Sequence, residues 1–139
     1  EGATRLGEYY MKFTVGSPPQ NFSCQVDTGS SDVAIPSVGC PDCGKHADPY
    51  FDPYSSSSFH NISCSSPRLS CPKCIDNNCA YELSYLDGSG FNASLGNDTM
   101  NVAGFNFYQD FGLITYENNP GHSEFEPFPV DGIAGFAYS

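Results

Sequence analysis

The chain has 139 residues, which at roughly 100 to 200 residues per domain is enough for one domain with one core. Sixteen acidic residues against five basic ones give a net charge of −11, which disfavours binding to nucleic acid or to anionic membrane surfaces. Fourteen glycines and 11 prolines interrupt the chain too often for helical bundles or coiled coils, so an all-β domain is expected.

Cysteines and glycosylation sequons indicate an oxidising environment. The chain has seven cysteines, and four Asn-x-Ser/Thr triplets, at Asn21, Asn61, Asn92 and Asn97, are candidate glycosylation sites. No apolar run approaches the roughly 18 residues of a membrane span, and Glu1 begins the chain without the basic and apolar segments of a signal peptide. We therefore expect a processed glycoprotein of the secretory pathway, secreted or held in a lysosome-like, vacuole-like or ER-derived compartment.

Residue type and alternation predict the first two strands. Residues 8–15 are rich in Tyr, Phe, Thr and Val and end at a Gly-Ser-Pro-Pro turn. In the next strand, residues 21–27, the period of two places Phe22 and Cys24 on one face. If that face is buried, Cys24 is a free thiol in the core and Asp27 points away from it.

A cysteine-rich insert at about 40–79 follows, and it has no sustained helical or strand period. Its cysteines are Cys40, Cys43, Cys64, Cys71, Cys74 and Cys79. Two of its spacings are Cys-x-x-Cys, which would fit a zinc module, but the remaining two cysteines and the sequons favour disulfides. The sequence does not choose among the roughly 15 possible pairings. No bound metal is expected.

Regular structure resumes after the insert. A hairpin is predicted at about 81–102, reversing near Asp87-Gly88, and two further strands are predicted at 105–108 and 111–116. No spacing among the three histidines indicates a shared metal, and surface loops are expected for them. They are His46, His60 and His122.

The candidate chemistry lies in the segment Asp27-Thr28-Gly29-Ser30-Ser31. A strand end presents the Asp27 carboxylate at a tight turn that Gly29 would permit. The hydroxyls of Thr28 and Ser30 can hold that carboxylate in one orientation. An isolated Asp-Thr-Gly triplet fits an ordinary turn equally well, so the surrounding sequence has to decide.

Four blocks in register resemble the N-terminal lobe of the pepsin-like aspartic proteases over essentially the whole chain. They are Tyr9 to Gln20, Asp27 to Ser31 with Ile35-Pro36-Ser37, Tyr85 with Asp87-Gly88-Ser89, and Asp131 to Tyr138. The insert is similar to that of the nepenthesin-like branch, which includes plant enzymes and enzymes of the plasmepsin V type. The resemblance implies that residues 1–139 are part of the all-β N-terminal lobe of a bilobal acid protease. The second lobe is absent from this chain.

The resemblance further implies an aspartic endopeptidase, made as a zymogen, that needs no cofactor. In such enzymes two aspartates hold a water molecule and share one proton while the water attacks a peptide bond. Residue by residue, Asp27 is implied to be the catalytic carboxylate and Ser30 to hydrogen-bond its outer oxygen. Thr28 is implied to supply a buried hydroxyl that braces two loops, and Gly29 to lie against the substrate backbone.

The same resemblance assigns the hairpin to a flap over the cleft. Tyr85 is implied to close over the substrate, and the backbone at Asp87 and Gly88 to hydrogen-bond an extended peptide. The family usually has a Trp that supports the flap Tyr, but this chain has Ala34 at that position. The support of Tyr85 is therefore expected to differ.

A second Asp-Thr-Gly or Asp-Ser-Gly does not occur after Gly29. The chain is therefore expected to be inactive alone and to need a second chain or segment that carries the other aspartate. It would be a processed light chain or a fragment. Two alternatives remain: a non-catalytic, protein-binding or inhibitor-like member of the same fold, and a retroviral-type homodimer in which each copy supplies one aspartate.

Overall fold

The structure, a computed structural model, describes residues 2–3, 9–85, 88, 90–117 and 130–137. These residues form ten strands and one 3-10 turn, Pro53–Ser55. In chain order the strands are β1 (Gly2–Ala3), β2 (Tyr9–Val15), β3 (Gln20–Asp27), β4 (Val33–Pro36), β5 (His60–Asn61), β6 (Lys73–Ile75), β7 (Asn78–Ser84), β8 (Gly90–Val102), β9 (Phe105–Glu117) and β10 (Gly132–Gly135). The predicted all-β class is confirmed. Among these residues there is no helix long and apolar enough to cross a membrane.

All ten strands belong to one sheet that curls back on itself. The order is β1-β2-β3-β10-β4-β9-β8-β7-β6, and β5 pairs with β8. Strand β2 pairs with β8 as well as with β3, which closes the sheet into a barrel-like form. Strand β10 lies between β3 and β4, parallel to the first and antiparallel to the second. The end of β3 therefore has a neighbouring strand that comes from more than 100 residues further along the chain.

The prediction of two separate strands at 105–108 and 111–116 is wrong. They form one strand, β9, that pairs with β8 from Val102↔Phe105 to Phe91↔Glu117. The intervening Gln109 and Asp110 interrupt the apolar pattern without interrupting the ladder, because polar residues of β8 lie opposite them.

The core consists of two clusters of buried side chains. The first contains Phe13, Val15, Phe22, Cys24, Ile35, Phe51, Met100, Phe111, Leu113 and Ala134. The second contains Ala34, Cys40, Cys43, Phe91, Ala93, Ile114, Val130 and Ile133. The ring of Phe51, from the insert, packs edge-on against Phe22 and Phe111 at centroid distances of 6.1 and 5.4 Å. The insert is thereby joined to the sheet through the core.

Three disulfides cross-link the insert. The pairs are Cys40–Cys43, Cys64–Cys74 and Cys71–Cys79. Cys24 is a free thiol buried in the first cluster. The six insert cysteines are therefore not available as zinc ligands. Within the described ranges no group of His, Cys, Asp and Glu side chains could hold a metal ion.

The serine run of the insert is held to β8 by a buried carboxylate. Asp98 is fully buried, and its oxygens accept hydrogen bonds from Ser56 Oγ at 2.7 Å, Ser58 Oγ at 2.5 Å and Thr99 N at 2.7 Å. The adjacent Asn97 is also buried and donates from Nδ2 to Asp110 Oδ1 at 2.5 Å. Of the sequon asparagines, Asn21 and Asn61 are exposed and Asn92 is half-buried, so Asn97 is the one that the fold covers.

The expectation of surface histidines is wrong for His46. Its side chain is fully buried, with Nε2 2.6 Å from Cys43 O and 3.5 Å from Glu117 Oε1. The imidazole ring packs edge-on against the ring of Tyr50 at a centroid distance of 5.2 Å. His60 is exposed, and His122 lies outside the described residues.

Candidate active site

The Asp27 carboxylate is half-buried at the end of β3 and is oriented by the backbone. Gly29 N donates to Asp27 Oδ1 at 2.8 Å. Phe136 N donates to the Asp27 carbonyl oxygen at 2.7 Å, and Gly135 of β10 lies opposite Asp27 in the parallel ladder. The residue that the sequence singled out is therefore fixed from two sides by main-chain donors.

The loop after Asp27 rests on the end of β10. Gly135 N donates to Asp32 O at 2.9 Å and Ala137 N donates to Ser30 O at 2.8 Å. A Cβ at position 135 would lie 2.5 Å from Ser30 O and 2.6 Å from Asp32 N, distances that real structures do not tolerate. Gly135 is thus needed for this close approach of two backbones. The described part of the fourth sequence block therefore lies beside the candidate catalytic loop.

The structure describes the surroundings of three further residues of the motif. Ser30 Oγ is buried and, among the described residues, has no hydrogen-bond partner, so it does not bond to Asp27. Thr28 is exposed and does not supply a buried hydroxyl in this chain. Gly29 does not have a positive φ. What its missing side chain provides is room, because a Cβ there would lie 3.2 Å from Asp27 Oδ1.

The predicted hairpin is formed by β7 and β8, which pair from Ala80↔Ser94 to Ser84↔Gly90. Tyr85 follows β7 directly, is half-buried, and packs against the second core cluster. Gly88 has φ +89°, a conformation that favours glycine, and its N–H donates to Tyr85 O at 3.1 Å. Asp87 lies outside the described residues.

Tyr81, which the sequence analysis did not single out, packs near the candidate substrate-binding residue Tyr85. Its ring packs edge-on against Phe91 at 6.0 Å and contacts the same cluster as Ala34 and Tyr85. Its hydroxyl is buried without a hydrogen-bond partner in the described part of the chain. Burial raises the pKa of the Tyr81 phenol, and the charges of Asp32 and of ionised Tyr85 raise it further. Its position four residues before Tyr85, on the same face of the strand, was the available signal.

Asp131 is a second buried carboxylate near β3. Its Oδ2 accepts from Ser23 N and its Oδ1 from Asp48 N, both at 2.7 Å. Burial raises the pKa of Asp131, and the charge of Asp48 acts in the same direction, against the two main-chain donors. Because β10 runs parallel to β3 with Gly132 opposite Cys24 and Gly135 opposite Asp27, Asp131 lies about 13 Å along the strand from Asp27. It anchors the strand that supports the loop.

The chain is similar to aspartic proteases from plants, a parasite and a mammal. A family model described as "Xylanase inhibitor N-terminal" matches residues 9–139. Aspartic proteinase nepenthesin-1 of Nepenthes gracilis is 36% identical over 124 residues, which cover 85% of this chain and 28% of that protein. Plasmepsin V of Plasmodium falciparum is 35% identical over 122 residues, covering 85% and 18%. Chymosin of Callithrix jacchus is 36% identical over 136 residues, covering 94% and 30%. The chain therefore spans less than a third of the length of these curated relatives.

Proposed function

The chain belongs to the pepsin-like aspartic protease family, in its nepenthesin-like branch, and from that membership we propose that it supplies one catalytic carboxylate of an aspartic endopeptidase. The carboxylate is that of Asp27. The observation that supports this most strongly is the hydrogen bond from Gly29 N to Asp27 Oδ1, because it orients a half-buried acid at the end of β3. Phe136 N fixes the main chain of the same residue.

The proposed chemistry needs a second carboxylate. Two aspartates close together cannot both ionise easily, so one takes a proton from the attacking water while the other donates to the carbonyl oxygen. Asp98 and Asp131 cannot play the second part, because both are fully buried and accept hydrogen bonds from elsewhere in the fold. We assign the second aspartate to another chain or segment. No cofactor is required.

The substrate is proposed to be an extended peptide between the loop and the hairpin. Gly29 would lie against its backbone, and Tyr85 would cover it from the hairpin side. The backbone at Asp87 and Gly88 would supply hydrogen bonds to the peptide. The exposure of Gly88 supports this arrangement, because a residue without a side chain lets a peptide approach the main chain closely.

An apolar face beside the candidate loop supports the need for a partner segment. Phe105, Phe107 and Phe136 are exposed and, together with Met11 and Val33, line a cavity of about 530 Å³. Large exposed apolar patches mark interaction surfaces. Phe136 immediately follows the strand that supports Asp27, so we propose that the segment with the second aspartate covers this face.

The secretory pathway is the proposed location. The three disulfides persist in oxidising compartments. The exposed Asn21 and Asn61 are the sequon asparagines best placed to carry glycans. The compartment could be extracellular, lysosome-like, vacuole-like or ER-derived.

Peptide hydrolysis tests the proposal. It is measured between about pH 3 and 7 for the lone chain, for its assembly with the aspartate-bearing partner, and for the assembly with Asp27→Asn. We expect acid-optimal cleavage by the assembly alone. Asp42→Asn, at an exposed position between Cys40 and Cys43, is the matched control and should cleave normally. Full activity of the Asp27→Asn assembly would exclude the mechanism, and activity of the lone chain that rises with the square of its concentration would favour the homodimer.

A non-catalytic, inhibitor-like protein is the second candidate, because the matching family model carries an inhibitor name. The retained Asp27 and its main-chain donors favour the enzyme. An assembly that binds peptides tightly at acid pH without cleaving them would favour the inhibitor.

A further inference from the structure

A cavity of about 550 Å³ lies on the outer face of the barrel-like sheet, where β2, β8 and β9 meet the turn after β2. None of the described residues that line it is charged, although the chain has 16 acidic and five basic residues. Uncharged hydroxyls and amides beside an aromatic ring suit a neutral, polar ligand. The side chains that supply this chemistry are Thr14, Ser58, Thr99, Asn101, Asn106 and Tyr108.

The cavity lies in line with the sequon at Asn21. Strand register places Asn21 opposite Thr14, Thr14 opposite Asn101, and Asn101 opposite Asn106. Residues opposite each other in antiparallel strands have side chains on the same face, and Thr14 lies between two buried residues of β2, so this row is on the outer face. At about 4.8 Å between neighbouring strands, the row spans about 15 Å. The cavity therefore begins one strand away from the exposed Asn21.

Hydrogen bonds within the protein fix the polar groups of the cavity. Asn101 Nδ2 donates to Asn106 Oδ1 at 2.7 Å, and Gly104 N donates to Asn101 Oδ1 at 3.2 Å. Ser58 Oγ donates to Asp98 Oδ1 at 2.5 Å, so its hydroxyl proton is used and its oxygen lone pairs can accept from a ligand. Side chains held in this way lose little further freedom when a ligand binds.

Tyr108 adds an aromatic surface to the cavity. Its side chain is 66% exposed and lies opposite Thr99 of β8. A sugar ring presents C–H groups on a face and hydroxyl groups around its rim, so it matches an aromatic ring beside neutral hydrogen-bonding side chains. A charged ligand would meet no counter-ion in the described lining, whereas a neutral sugar needs none.

We propose that Asn21 carries an N-linked glycan and that the first sugars of this glycan pack into the cavity, against Asn106 and Tyr108. The β2–β8 pairing that closes the sheet consists of two residue pairs, and the glycan spans it from β3 to β9. Asn21 lies six residues before Asp27, about 20 Å along β3, so the glycan is remote from the candidate catalytic carboxylate. The glycan thus stabilises the closure of the sheet without covering the site.

The modification needs a co-reactant of one chemical class, an oligosaccharide linked through pyrophosphate to a lipid. The bond between Asn21 Nδ2 and the sugar C1 forms as the bond between C1 and the pyrophosphate oxygen breaks. The lipid pyrophosphate leaves with the electron pair, and the amide nitrogen loses one proton. The proposal rests on the secretory location proposed above, because this reaction belongs to that pathway.

Glycopeptide mass spectrometry and urea unfolding of the chain secreted from a eukaryotic host test the proposal. We expect Asn21 to be glycosylated. Asn21→Gln should lower the urea midpoint by about 0.5 M, because the contacts between sugar and protein are lost. The same substitution should have little effect when Tyr108→Ala is already present, since the aromatic contact is then absent. In a Tyr116→Ala background, which changes an exposed tyrosine of β9 outside the cavity, the full effect should remain.

Asn61→Gln removes the other exposed sequon and is the matched control, because its effect on the urea midpoint should not depend on Tyr108. An unmodified Asn21, or an Asn21→Gln effect that is equally large in the Tyr108→Ala background, overturns the proposal. A glycan on Asn61 without one on Asn21 contradicts this proposal alone, whereas glycans at neither site also contradict the secretory location. The peptide hydrolysis assay of Asp27→Asn reports separately on the aspartic mechanism.

Discussion

The Tyr81 hydroxyl occupies the space that a side chain on Gly112 would fill. A Cβ at position 112 would collide with Tyr81 Oη and would lie 3.0 Å from Tyr81 Cζ and 3.1 Å from Ala93 Cβ. Gly112 is buried within β9 and does not have a positive φ, so packing and not backbone conformation explains this glycine. The two residues, 31 positions apart, are fitted to each other across the sheet.

Gly112→Ala should therefore destabilise the chain by about 1–3 kcal/mol, the usual range for overpacking a core. Adding Tyr81→Phe should recover part of the loss, because it removes the atom in collision. Tyr81→Phe alone should be nearly neutral, since its hydroxyl has no partner among the described residues. Urea unfolding of the four proteins gives the coupling energy, and additive effects would contradict the contact.

Asp98→Ala should cost about 3 kcal/mol of unfolding free energy. The substitution leaves the hydroxyls of Ser56 and Ser58 and the N–H of Thr99 without their acceptor in a buried place. Asp42→Ala, at an exposed position, should change stability by less than about 0.5 kcal/mol. The measurement is urea unfolding with the disulfides intact, and equal midpoints for the two variants would refute the prediction.

The raised pKa of Asp131 predicts a pH-dependent stability. Since the folded-state pKa lies above the ordinary value of 3.8, the stabilising contribution is fully present below pH 3.8 and is lost as the pH rises through the folded-state pKa. Wild type should therefore gain stability relative to Asp131→Asn as the pH falls from 7 toward 4. Unfolding free energies at several pH values test this. The difference in unfolding free energy between wild type and Asp42→Asn, the control, should not change with pH. A difference between wild type and Asp131→Asn that is likewise constant, or that becomes smaller in acid, would contradict the prediction.

Cys24 should be inert in the folded chain. It is buried, and burial together with the charge of Asp131 raises the pKa of its thiol, which disfavours the reactive thiolate. We expect iodoacetamide at about pH 8 to modify Cys24 only after unfolding.

Mass mapping without reduction should find the pairs Cys40–Cys43, Cys64–Cys74 and Cys71–Cys79. Rapid native alkylation, or a disulfide to Cys24, would contradict the structure.

Features that depend on short stretches of sequence could be predicted. The all-β class follows from turn residues and alternating strands, and the alternation of β3 placed Phe22 and Cys24 in the core and Asp27 at an open strand end. The Asp-Thr-Gly motif and the other blocks led to the family. Each of these signals spans only a few residues, so it can be read without knowing what packs against it.

Features that join distant segments could not be predicted. Cys74 and Cys79 lie opposite each other in the β6–β7 pairing, yet each is bonded to another cysteine. From the neighbouring sequence alone, Asp98 and Asp131 would be expected to face solvent. In the fold, a serine of the insert hydrogen-bonds Asp98, and backbone N–H groups of β3 and of the insert hydrogen-bond Asp131. Burying a carboxylate is favourable only when donors from elsewhere meet it. The sequence by itself determined the all-β class, the first two long strands, the position of the insert and the candidate Asp27. Only the tertiary structure decided which polar groups are buried and which cysteines pair, because each depends on contacts between residues far apart in the chain.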